Sequence, residues 1–117
     1  MYTVLYLYRV NKKQVDSFID INEKASEIYL ANGALEDVIY RADNLDGKHG
    51  LTGLIDTVDL LPEEELLFGQ AVFRNKSHHK DVMKQVDNDP EIIQLFNRVK
   101  EITDISRIIT ATFSTDQ

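Results

Sequence analysis

The chain opens on a run in which almost every position is apolar or aromatic. In an extended strand, Tyr2, Val4, Tyr6, Tyr8 and Val10 share one face, and Thr3, Leu5, Leu7 and Arg9 share the other. Both faces therefore need cover. After Asn11 the period changes. Val15, Phe18, Asn22, Ala25 and Tyr29 recur at helical spacing, with Ile19 and Ile28 widening the stripe, which predicts a helix over residues 12–31. Asn11 followed by Gln14 fits a capping box. Gly33 ends the helix as a left-handed cap, so its φ is expected to be positive.

Residues 34–42 then read as a second strand, followed by a polar, glycine-bearing loop over residues 43–50. Residues 51–61 are ambiguous. Ile55, Thr57 and Asp59 alternate with Asp56, Val58 and Leu60, which fits a short or edge strand. Pro62 and the run Glu63-Glu64-Glu65 read as a solvated turn. The next strand, residues 66–74, sets Leu66, Phe68 and Val72 against Leu67, Ala71 and Phe73. Asn75 caps a helix carrying Val82, Met83 and Val86. Asp89-Pro90 is a natural start for a third helix, with Ile92, Leu95, Phe96, Val99 and Ile102 as its apolar residues. Phe18 and Phe96 are the expected aromatic core of the helical layer. A last strand spans residues 106–113, with Ile109, Ala111 and Phe113 on one face, and a polar tail begins at Ser114.

This order is βαββαβ, which predicts one α+β domain over residues 1–117, a ferredoxin-like plait. Its antiparallel sheet carries the helices on one face only. The other sheet face stays apolar, and a second copy of the chain is expected to cover it, giving a homodimer.

The formal net charge of −7 and the dispersed basic residues argue against nucleic acid as a partner. The chain has no cysteine, which excludes disulfides, thiol catalysis and cysteine-held metals. No apolar run approaches the ~20 residues of a membrane span, and the N-terminus lacks the pattern of a secretory signal. The expected location is cytoplasmic, with no membrane partner.

Candidate chemistry is thin. Tyr6, Tyr8, Tyr29, Tyr40, His49 and Arg107 can offer hydrogen bonds to an apolar pocket, and His79 shares the apolar side of its helix. Of these, Tyr6, Tyr29, Tyr40, His79 and Arg107 are the ligand-pocket candidates. Arg74, Lys76 and Lys80 gather where the second helix starts. They oppose the helix dipole there, so they are the candidates for holding an anion. His78 and His79 are adjacent, and helical neighbours diverge by ~100°, so they do not suit one metal. Asp43, Asn44 and Asp46 fail the register of a calcium loop. Glu36 and Asp37 point to opposite strand faces and cannot act as a carboxylate pair. No triad or phosphate loop is present, and neither a metal nor a cofactor is expected.

Asn32-Gly33-Ala34-Leu35-Glu36 after a long helix, an acidic loop ending Asp46-Gly47-Lys48, the strand start Glu64 to Phe68, and Asn88-Asp89-Pro90 follow one another in an order that resembles a small bacterial domain-of-unknown-function family, the YbaA-like proteins. The resemblance runs from Met1 to Phe113. It implies a dimeric α+β barrel, in which two plaits press their open sheet faces together. Relatives in that superfamily include cofactor-free monooxygenases, haem-degrading enzymes and isomerases. The chain departs from the family near its end, where Ile105-Ser106-Arg107 and Thr110-Ala111-Thr112 replace a glycine-bearing approach and strand, and Arg107 and Phe113 are kept.

Three functional readings follow. The first is a homodimeric module that binds or senses a small apolar or anionic molecule. The second is a cofactor-independent enzyme of monooxygenase or isomerase type, working between the sheet and the long helix. The third is a non-catalytic oligomeric scaffold. A closed apolar space with polar tips favours the first two, and a fully packed helix–sheet interface favours the third.

Overall fold

The computed structural model describes residues 1–115, so Asp116 and Gln117 of the polar tail lie outside the described residues. The elements are β1 (Tyr2–Asn11), α1 (Val15–Ala31), β2 (Glu36–Arg41), β3 (Glu64–Phe73), α2 (Lys76–Asp87), α3 (Pro90–Ile102) and β4 (Ile109–Ser114). The sheet order is β2-β3-β1-β4, antiparallel throughout. This is the ferredoxin-like α+β plait.

Register fixes which residues meet the helices. Tyr2, Val4, Tyr6 and Tyr8 on β1 stand opposite Phe73, Ala71, Gly69 and Leu67 on β3. These positions carry the core: Val4, Val10, Leu67, Ala71 and Phe73 are buried, and so are Val15, Phe18, Ile21 and Ile28 from α1. From α2 and α3, Val82, Val86 and Leu95 complete the layer. The reverse sheet face carries Leu5, Leu7, Val38, Tyr40, Phe68, Ile109 and Phe113, and no helix covers it. Val38, Tyr40, Ile109 and Phe113 are exposed there.

The helix ends follow their sequence signals. Gly33 has φ +107°, and a Cβ there would meet only ordinary contacts with His78 and Val82. Backbone conformation, not space, is what selects glycine. The Asn75 side chain accepts from the His78 N–H at 2.8 Å, and Asp89 accepts from the Glu91 N–H at 2.8 Å. Asn11 departs from the expected capping box. Its side chain accepts from the Lys13 N–H, and residues Lys12–Gln14 form a 3-10 turn before α1 begins.

Three further expectations are corrected. The ambiguous stretch is not a strand: residues 51–61 form a loop with a 3-10 turn at Leu54–Asp56. The loop lies against one end of the open sheet face, where Arg9 and Arg107 donate to the Asp59 carbonyl. Phe96 is 49% exposed and is not a core residue. The buried stripe of α3 runs through Ile92, Leu95, Val99 and Ile102, one position away from Phe96 on the helix surface. Ser106 and Arg107, read as the start of the last strand, lie instead in a 3-10 turn over Ile105–Arg107.

Candidate functional site

Between the sheet and the helices α1 and α3 lies a cavity of about 460 Å³. Its floor is Tyr6 and Tyr8 of β1, Gly69 and Ala71 of β3, and Asp37 and Ile39 of β2. Its roof is Asn22, Ala25, Ser26 and Tyr29 of α1, with Ile92, Phe96 and Val99 of α3 along one side.

Small residues make the space. Gly69 stands between Tyr6 and Ile39 in the sheet register. A Cβ at this glycine would lie 3.0 Å from Tyr8 Cε2, so the bare backbone lets the Tyr8 ring lie across β3. Ala25 and Ser26 face the same region from α1 with little bulk. The Tyr6 and Tyr8 rings are 5.8 Å apart and nearly parallel, and Tyr8 meets Phe18 edge-on at 4.8 Å. Phe18 is fully buried, so Tyr8 rests on a fixed support.

One carboxylate stands on this wall. Asp37 is half-buried on β2, and burial among apolar groups pushes its carboxyl up to about 6. Burial, with the charge of Asp37 as a further contribution, also raises the hydroxyls of Tyr6, Tyr8 and Tyr29 above the ordinary tyrosine value. They are therefore protonated donors at neutral pH. Among the described residues, neither the Asp37 carboxylate nor any of these three hydroxyls makes a hydrogen bond. Asn22 donates its amide N–H to the Phe18 carbonyl at 2.9 Å. The site can thus hold an apolar body while offering hydroxyl donors and one acid–base group.

The structure brings two of the pocket candidates together, Tyr6 and Tyr29. It separates the other three from them. Tyr40 sits on the opposite sheet face, stacked on Phe68 at 5.5 Å, because its neighbour Ile39 takes the inward position. His79 packs against Phe73 at 4.7 Å and Tyr2 at 5.0 Å, and burial lowers its pKa. Arg107 lies just before β4, locked onto Glu64. His49 is in the loop, exposed with φ 56°. At the start of α2, Arg74, Lys76 and Lys80 are all exposed, and the first turn is closed by its own side chains: His78 Nδ1 accepts from the Arg74 N–H at 2.9 Å. No cluster of three or more metal-ligating side chains occurs among the described residues. No helix among them is long and apolar enough to cross a membrane.

Asp37 is the residue that sequence reasoning missed. Its signal was the strand alternation itself, which puts Asp37 on the face of Ile39.

The plait is shared with solved structures of other proteins. The chain belongs to a protein family of unknown function, DUF1428, whose model matches residues 1–101. The fold is similar to that of a putative antibiotic biosynthesis monooxygenase from Nitrosomonas europaea, with TM-score 0.64, 9% identity and full coverage of both chains (100% and 100%). It is also similar to an uncharacterized NIPSNAP domain protein from Burkholderia xenovorans, with TM-score 0.60, 11% identity, and 97% and 93% of the two chains covered. A dimeric ferredoxin-like protein of unknown function from Thermobifida fusca matches with TM-score 0.54, 9% identity, and 97% and 89% covered. Identities this low show the fold alone. No curated protein matches the chain significantly.

Proposed function

We propose that this protein is a homodimeric small-molecule binding module whose ligand sits between the sheet and α1. The cavity carries this reading. About 460 Å³ is a usual size for a small-molecule site, and an apolar wall with a few polar tips is its usual chemistry. A scaffold has no need of a hollow core, since filling it would add stability. The dimeric half of the reading rests on the uncovered apolar sheet face, and a fold neighbour described as dimeric agrees with it.

Native mass spectrometry of the freshly purified protein, with thermal shifts against a panel of small aromatic and aliphatic compounds, tests the pocket. Ala25→Phe places a ring in the cavity from α1 and serves as the blocked control. Shifts of several degrees that Ala25→Phe abolishes are expected. Equal shifts in both proteins, or none, would overturn the reading.

A second reading, a cofactor-independent enzyme, has one specific observation in its favour. A carboxyl held up to about 6 beside unpartnered hydroxyls can both take and return a proton near neutral pH. Some fold neighbours are named as monooxygenases, but a shared fold carries no activity across. Exchange of a bound ligand's acidic C–H with deuterated solvent, lost in Asp37→Asn, would favour this reading over binding alone.

A further inference from the structure

The cavity wall carries charge of one sign. Its one ionisable group outside the tyrosines is Asp37, and no lysine, arginine or histidine lines it. We propose that the pocket takes a hydrophobic amine, with Asp37 as the counter-charge of the protonated nitrogen and the rings of Tyr6, Tyr8 and Tyr29 around that cationic head. This rests on the small-molecule reading of the site.

Three observations converge. First, Asp37 has no cationic partner: on its own strand face Arg41 is engaged by Glu65 at 2.9 Å, and Asp37 has neither a hydrogen bond nor an ion pair among the described residues. A half-buried carboxylate without a partner costs stability, and a bound cation would repay it. Second, three tyrosines share this wall with the carboxylate and feel its charge, and aromatic faces attract ammonium groups, more strongly where water is excluded. Third, every charged group that bears on this site is negative. β1 presents Tyr6 and Tyr8, α1 presents Tyr29, and Asp87 at the end of α2 adds its charge to that felt by Tyr6 and Tyr29. The α3 side presents Ile92, Leu95, Phe96 and Val99, none of them titratable. The net charge of −7 draws cations toward the molecule in the same sense. An anionic ligand would meet repulsion, with only neutral hydroxyls and amides as donors and no cation to offset it.

Phenethylamine, phenethyl alcohol and phenylacetate form a matched probe set: one ring, one linker, and a positive, neutral or negative head. Binding is measured by ligand-observed NMR or calorimetry on the full chain, with Ala25→Phe as the blocked control and Asp37→Asn as the discharged one. Thermal melts confirm that both variants fold. The expected order is amine, then alcohol, then carboxylate, with the amine favoured roughly tenfold or more over the alcohol. In Asp37→Asn that advantage should fall to within about threefold. In the unaltered protein it should shrink as the pH drops through about 6, where Asp37 takes up its proton. Equal binding of amine and alcohol, blocked by Ala25→Phe, would overturn the amine inference and leave the pocket reading standing. Preference for the carboxylate would overturn it too. If none of the three binds, the pocket reading falls and the amine inference falls with it.

Discussion

Arg107 grips Glu64 through two parallel hydrogen bonds, Nη1 to Oε2 at 2.6 Å and Nη2 to Oε1 at 2.9 Å. The pair ties the turn before β4 to the first residue of β3, and Glu64 also accepts from the Leu61 N–H at 2.9 Å. Arg107 is thus a structural clamp at the end of the sheet and does not line the cavity. The geometry is the fork that guanidinium and carboxylate make best.

This clamp gives a pH dependence. Its hydrogen bond from Arg107 holds the Glu64 carboxyl below its ordinary value of 4.5. A carboxyl depressed in the folded state contributes stability that is present above 4.5 and is lost as the pH falls through its folded value. The melting temperature should therefore drop on acidification below about 4.5. Glu64→Gln should start lower at neutral pH and show a shallower drop over that range. Parallel acid profiles for the two proteins would show that the pair contributes nothing.

Asp37 has the opposite sign. Its carboxyl is raised from 3.8 to about 6, so between those values the folded protein holds a proton that the unfolded chain releases. Its contribution to stability therefore falls as the pH rises through about 6, and above that the fold carries the cost of a half-buried carboxylate. Asp37→Asn should be more stable by about 1–2 kcal/mol at neutral pH, allowing for the part of the carboxyl that water reaches. The gain should vanish near pH 3.8. Urea melts at neutral and acid pH check both statements. A destabilised Asp37→Asn at neutral pH would mean that the carboxylate is well satisfied, and the argument for its role in the pocket would weaken accordingly.

The plait was legible because its signals are local. Caps at Asn75 and Asp89, the left-handed turn at Gly33 and period-two strands each fix their own element, and which β1 side chains share a face follows from alternation. The pocket was only half legible. Tyr6 and Tyr29 can be read because strand and helix periods point them inward. Tyr40 was taken with them as an aromatic hydroxyl, although the same alternation that parts Glu36 from Asp37 also parts Tyr40 from Asp37. The cavity itself depends on Gly69 lying opposite Tyr6, a pairing across 63 positions of chain that no local pattern encodes. The loop at residues 51–61 misled for a related reason. Its alternation of Ile55, Thr57 and Asp59 finds no strand to pair with, and backbone bonds such as Val58 N–H to Leu54 O fold it on itself.

Phe18 and Phe96 should respond very differently to truncation. Phe18 is 0% exposed and supports Tyr8 at the cavity floor, whereas Phe96 is 49% exposed at the cavity rim. Phe18→Ala should cost about 3–5 kcal/mol, as large aromatic truncations in a core do. Phe96→Ala should cost about 1 kcal/mol or less. Denaturant midpoints measure both. A loss under about 1 kcal/mol for Phe18→Ala would contradict the packing of α1 on the sheet.

The proposed homodimer would form through the uncovered sheet face. Leu7 lies between Phe68 and Ile109 in the register, and Leu5 lies between Gln70 and Ala111. Around them Phe113 is 59% exposed and Tyr40 is 45% exposed, on a face that the helices cannot reach. Soluble monomers rarely leave so continuous an apolar patch in water. A two-fold axis that presses two such faces together buries both, and an obligate interface of this kind covers roughly 2,000 Å² or more in total. Sedimentation at micromolar concentration should give twice the chain mass. Phe113→Asp, at the exposed rim, should weaken the dimer by tenfold or more, since each copy would bury a charge without a partner. Leu7→Asp, at the centre, should give monomer or fail to fold alone. A clean monomer for the unaltered chain, or a Phe113→Asp protein that dimerises as tightly as its parent, would show that this face does not form the interface.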